Sequence, residues 1–239
     1  MIVRGGKAIY GNSIGILLLE ARFPRIPGDM GNATTWPFPV HYKIVRGATP
    51  DRVVRKKAEG LLQHFIDAAK ELVEDGVDGI TTNCGFLSLF QNELSSAVSV
   101  PILTSSLMQV EMVNRFLPRG KRAGILTVSA STLTEEHLKK AHVPAGTPIG
   151  TTEGGQEFTR AILGNEIELN VELARKDNVQ AALQLKDQNP DMGAIVLECT
   201  NMCPYAQDIT AATGLPTFSI YDLVVWFQSG LRPRHFGTA

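Results

Sequence analysis

A chain of 239 residues with 44% hydrophobic and 20% charged residues holds enough apolar material for one large core or two lobes, and too little charge for disorder. Its net charge of −1 excludes bulk attraction to nucleic acid or an anionic membrane, and the basic run Arg52, Arg55, Lys56 and Lys57 reads as a solvated face. Three cysteines argue against a disulfide framework and for reduced thiols in the cytoplasm.

The first apolar run, residues 14–19, predicts a strand ending at Glu20. It is far too short to span a bilayer, and no leader pattern precedes it, so neither membrane insertion nor secretion is expected. Residues 22–39 carry Pro24, Pro27, Pro37 and Pro39 with Gly28, Gly31, Trp36 and Phe38, and show no usable period. Such a segment reads as a surface strap, a cover over a cleft or a dimer contact. A strand over 42–46 follows. Ala58, Leu61, Leu62, Phe65, Ala69, Leu72 and Val73 then fall at helical spacing, with Gly76 as the stop signal. Further strands are expected at 77–82, 102–104, 123–128, 194–197 and 217–218, and helices at 108–117 and about 221–229. Strands alternating with helices read as α/β with parallel sheets.

The chain also reads as doubled. Cys84 and Cys199 each end an apolar run, and each is followed 17 positions later by a proline opening another, Pro101 and Pro216. Gly15-Ile16-Leu17 is echoed by Gly124-Ile125-Leu126. The expected architecture is therefore two similar lobes, each a short parallel sheet flanked by helices, related by a pseudo-twofold with the active site between them. Residues 1–118 would carry Cys84, residues 119–220 Cys199, and residues 221–239 a helix packing back on the first lobe.

Ligands of open parallel sheets bind outside the carboxyl ends of the strands, where both cysteines fall. Each precedes residues that begin a helix, a setting that lowers a thiol pKa from about 8.5. One thiolate would remove a proton from carbon while the opposite thiol supplies one. Backbone N–H groups with Thr82, Asn83, Thr200 and Asn201 would hold a carboxylate and spread the charge of an enolate-like intermediate. Glu20, Ser105 and Ser129, at other strand ends, are further binding candidates, although small hydroxyls there also serve as helix caps. Cys203 reads as structural, since no further ligands stand at metal-like spacing. His41, His64, His137, His142 and His235 fall in no nucleophile or zinc motif and read as packing residues.

The segments Thr81-Thr82-Asn83-Cys84-Gly85-Phe86 and Leu197-Glu198-Cys199-Thr200-Asn201 resemble the two cysteine motifs of the aspartate/glutamate racemase superfamily, which includes hydantoin racemases, arylmalonate decarboxylases and maleate isomerases. The resemblance implies a cofactor-independent, metal-free isomerase, a racemase or epimerase of an amino acid or related carboxylate. Cys84 and Cys199 would exchange acid and base roles, with Gly85 and Phe86 beside the substrate. A homodimer is expected by analogy alone. Alternatives keep the fold: a maleate-isomerase-like or decarboxylase-like enzyme using one cysteine, or an inactive ligand-binding homologue. The chain departs from glutamate racemases in having Glu20-Ala21 for Asp-Ser, Cys84-Gly85-Phe86 for Cys-Asn-Thr and Cys199-Thr200-Asn201 for Cys-Thr-His. Asn201 cannot carry the proton a histidine would, and Phe86 makes its side less polar.

Overall fold

The apolar runs of the sequence become two four-stranded parallel sheets in the computed structural model, which describes residues 2, 3, 5–11 and 13–237. The first holds β1 (Ile14–Leu19), β2 (Val40–Val45), β3 (Gly79–Thr82) and β4 (Ile102–Leu103) in the order β2-β1-β3-β4. The second holds β5 (Arg122–Thr127), β6 (Ile149–Thr151), β7 (Met192–Leu197) and β8 (Thr217–Phe218) in the order β6-β5-β7-β8. The orders are the same once each sheet is counted from its own first strand, so the duplication read from the cysteines extends to topology.

Around the first sheet lie α1 (Leu62–Glu74), α2 (Gln91–Ala97) and α3 (Val110–Phe116). With the second sheet go α4 (Glu135–Lys140), α5 (Phe158–Gly164), α6 (Val171–Gln188) and α7 (Ala206–Thr213), and α8 (Ile220–Leu231) closes the chain. None of the described helices is long and apolar enough to cross a membrane.

Strand alternation explains why β1 is apolar throughout. Ile14, Ile16 and Leu18 share a buried cluster with Ile220, Leu223 and Val224 of α8 and with Met30 and Trp36. Leu17 and Leu19 belong to a second cluster with Phe65, Ala69 and Leu72 of α1. Both faces are thus covered, and each such side chain contributes roughly 1.5–3 kcal/mol of burial. The second cluster continues through Ile125, Val196 and Leu197 of the other sheet, so one core joins the two lobes. The helix α8 seats on β3 so closely that a Cβ on Gly79 would lie 2.5 Å from Leu231 Cδ1.

The helix expected from residue 58 begins later. Asp51–Arg55 forms a π-helical turn, Lys57 and Ala58 take positive φ angles of 51° and 53°, and α1 starts at Leu62. Gly76, at φ 96°, ends it as expected. Met108 lies in a 3-10 turn (Ser106–Gln109) that precedes α3. The strand β6 has no counterpart among the expected elements.

Candidate active site

Each central strand hands its cysteine to a 3-10 turn. Cys84, two residues past β3, caps the turn Gly85–Phe90, and Cys199, two past β7, caps Thr200–Tyr205. In both lobes this is the point where strand order reverses, the usual crevice of open parallel sheets. The backbone N–H two residues on favours the thiolate in each case, that of Phe86 for Cys84 and that of Asn201 for Cys199. The thiols line one cavity together with Asn83, Gly85, Glu198, Thr200 and Asn201 on its polar side and Leu19, Phe23, Val54, Phe86, Val128, Ile162 and Leu163 on its apolar side. It encloses only about 20 Å³, room for roughly one water. Cys84 and Cys199 are 8% and 6% exposed.

The thiol pKa values move against the sequence expectation. Burial pushes both thiols up, and the nearby Glu198 carboxylate pushes them further, outweighing the single N–H that favours each thiolate. Glu198 is itself wholly buried and raised to about 7 by desolvation, opposed by the Thr127 hydroxyl. Thr127 donates to its Oε2 at 2.6 Å, while Oε1 has no partner. This residue was not among those expected from the sequence. Its sequence signal was weak, since Glu20 and Glu198 both follow continuously apolar strands and only Glu198 is buried.

Asn201 takes the place of the expected histidine, and its amide is committed on both sides. Oδ1 accepts from the Cys199 thiol at 3.6 Å, and Nδ2 donates to Asp29 Oδ2 at 2.6 Å. Asp29 in turn binds Arg25 Nη1 at 2.8 Å and accepts from the Gly31 N–H. The proline-rich segment 22–39 therefore reaches the site twice, through Asp29 and through Phe23 on the cavity wall. Neither residue was singled out in the sequence.

Four expected binding residues stand elsewhere. Glu20 accepts from the Gly47 N–H and pairs with Arg46, which lower its pKa. Thr82 donates to the Thr104 carbonyl, Ser105 caps its own 3-10 turn through Leu107 N–H, and Ser129 donates to Glu153. None of the four lines the cavity, because their hydroxyl or carboxyl groups are used by the strand ends themselves. Asn83 and Thr200 do line it, but Asn83 Oδ1 accepts from Leu19 N–H and the Thr200 hydroxyl donates to the Asn83 carbonyl. The Thr200 bond crosses between the lobes, whereas the Asn83 side chain bonds within the first. Cys203 faces a different surface, with Gly28, Thr35, Ser219 and Tyr221, because a 3-10 turn does not place residues four apart on one face.

No family model matches the chain. Over 220 residues it is 30% identical to a dimethylsulfoniopropionate lyase of Durusdinium sp. clade D, with 89% of this chain and 72% of that protein covered. It spans 63% and 56% of two further relatives, dimethylsulfoniopropionate lyases 7 and 3 of Emiliania huxleyi (strain CCMP1516), at 27% and 30% identity. Among solved structures it resembles an arylmalonate decarboxylase, with a TM-score of 0.58, 15% identity and 91% of each chain covered. A glutamate racemase from Bacillus anthracis gives 0.58 at 16% identity, with 92% of this chain and 82% of that one covered. These likenesses show a racemase-like fold.

Proposed function

The chain belongs to the dimethylsulfoniopropionate lyase family, and from that premise we propose that it removes the α-proton of a small carboxylate and eliminates a β-substituent, dimethylsulfoniopropionate being the favoured substrate. The observation that carries the reading is the convergence of Cys84 and Cys199, one from each lobe, on a single largely apolar cavity. A thiolate takes the α-proton, and the electron pair left on that carbon forms the new carbon–carbon double bond. The bond from the β-carbon to sulfur breaks with its pair kept on sulfur, releasing neutral dimethyl sulfide. Acrylate remains, and the proton passes from cysteine to solvent. The N–H groups of Phe86 and Asn201 stabilise the thiolates that the step requires. An apolar pocket suits a departing dimethyl sulfide, and Phe23 and Phe86 supply such walls.

The test is to incubate the protein with dimethylsulfoniopropionate and measure dimethyl sulfide and acrylate. Equimolar release with one proton per turnover is expected. Absence of both products at substrate saturation would reject the lyase reading.

A second thiol favours a second reading, because a neutral sulfide leaves without needing an acid. Removal of the α-proton from one face and its return to the other would make the protein a racemase or epimerase of a carboxylate. In deuterium oxide that activity places deuterium in recovered substrate with inversion, whereas elimination consumes the substrate.

A further inference from the structure

We propose that Glu198 is the counter-ion for a cationic group on the substrate, so that the cavity selects small zwitterions bearing a sulfonium or quaternary ammonium group beside the reacting carbon. The inference deepens the lyase reading and rests on it. Among the described residues, Glu198 supplies the cavity's only ionisable side chain other than the thiols, and no lysine, arginine or histidine lines the wall. The carboxyl is 0% exposed, one oxygen is held by Thr127, and Oε1 is left without any partner. A buried carboxylate in an apolar wall is strongly unfavourable unless something pairs with it.

The pseudo-repeat shows that the fold does not require this carboxyl. Asn83 and Glu198 occupy equivalent positions, since their N–H groups donate to Leu17 and Leu126 at 3.0 and 2.8 Å on the matching strands β1 and β5. In the first lobe the position is a neutral amide whose Oδ1 is satisfied by the Leu19 N–H. In the second lobe it is an acid with a spare oxygen. Room for that oxygen comes from Gly85 across the lobe boundary, where a Cβ would lie 2.2 Å from Glu198 Oε1.

A cation bound there also acts on the thiols. Burial first and the Glu198 charge second favour the protonated cysteines, and a sulfonium beside Glu198 offsets the second of these. The substrate thus favours formation of the thiolate that attacks it. The titratable and charged groups facing Glu198 are Cys84 from the first lobe and Cys199 beside it. Arg25, paired with Asp29, acts on Cys84 from the strap.

The experiment measures calorimetric binding of 3-(trimethylammonio)propanoate and of 4,4-dimethylpentanoate, the isostere in which an uncharged carbon replaces the ammonium nitrogen, to wild type and Glu198→Gln. Wild type should prefer the cationic probe by about tenfold or more, as charge-assisted pairing implies. The preference should grow as pH rises through about 7, where Glu198 loses its proton. Glu198→Gln should bind both probes alike. Equal affinities in wild type, no binding of the cationic probe, or an undiminished preference in Glu198→Gln would overturn the proposal. Should that variant not fold, the wild-type pH dependence decides: a preference that does not weaken below pH ~5.5 overturns it. Dimethyl sulfide release is scored separately. Glu198-dependent preference without release leaves the counter-ion and rejects the lyase, and release without preference does the reverse.

Discussion

The three groups proposed to set the chemistry, Cys84, Cys199 and Glu198, are all more than nine-tenths buried, and the Glu198 charge acts on both thiols. Glu198 has a folded pKa of about 7, above its ordinary 4.5, so its contribution to stability is full below about pH 4.5 and lost as pH rises through about 7. The loss is on the order of 3 kcal/mol. His137 acts in the opposite sense: burial lowers it from 6.5 to about 4, and its contribution is lost as pH falls through that window. The melting temperature of wild type relative to Glu198→Gln should therefore fall between about pH 5 and pH 7.5, at roughly 2–4 °C per kcal/mol. A difference independent of pH would contradict the raised carboxyl. Gly85→Ala is a sharper steric test. Its Cβ would meet Glu198 Oε1 at 2.2 Å and the Glu198 carbonyl at 2.4 Å, so the two lobes must shift locally, costing about 1–3 kcal/mol. Activity should fall more than tenfold while the variant still folds; unchanged turnover would show that the Gly85–Glu198 contact is not needed.

At the scale of elements, the strands and their cysteines were legible because apolar runs buried on both faces leave a continuous signal. The boundary of α1 was not, since Ala58 and Leu61 match the helical period yet lie in a turn whose positive φ angles the pattern cannot express. The strand β6 was hidden because Ile149, Gly150 and Thr151 are few and only half-buried. The strap 22–39 carried no period at all, and its structure comes from specific polar anchors. Trp36 Nε1 donates to the Met30 carbonyl, Tyr42 donates to the same oxygen, and Asp29 gathers Arg25, Gly31 and Asn201. The same reasoning explains the missed site residues: Phe23 reaches the cavity wall, and Asp29 reaches Asn201 behind it, by tertiary contact and not by local spacing. Asp29→Ala should free the Asn201 amide and cut activity severalfold or more. It should cost about 1–3 kcal/mol and raise proteolysis within 22–39. A variant with wild-type turnover and cleavage pattern would show that the strap does not organise Cys199.

Across the whole molecule, one apolar cluster runs from β1 through the cavity walls to β5, β7 and α7, and cross-lobe hydrogen bonds reinforce it, among them Thr200 to the Asn83 carbonyl, Ser106 to the Leu197 carbonyl and Asn201 to Asp29. The lobes should consequently unfold together. Far-ultraviolet circular dichroism and tryptophan fluorescence, which reports Trp36 and Trp226, should give coincident denaturant transitions; two separated midpoints would contradict a shared core. A cavity of about 20 Å³ between lobes so joined is too small for a five-carbon zwitterion, so binding the proposed substrate requires local opening. The central claim is that a buried thiol of the shared cavity removes the α-proton. It is tested most directly by following dimethyl sulfide release and α-deuterium incorporation from dimethylsulfoniopropionate in deuterium oxide with wild type, Cys84→Ala and Cys199→Ala, each checked for folding. The account predicts that wild type breaks the α-carbon–hydrogen bond and that the variant lacking the base cysteine loses at least about a hundredfold of that rate. Wild-type rates in both folded variants would contradict it.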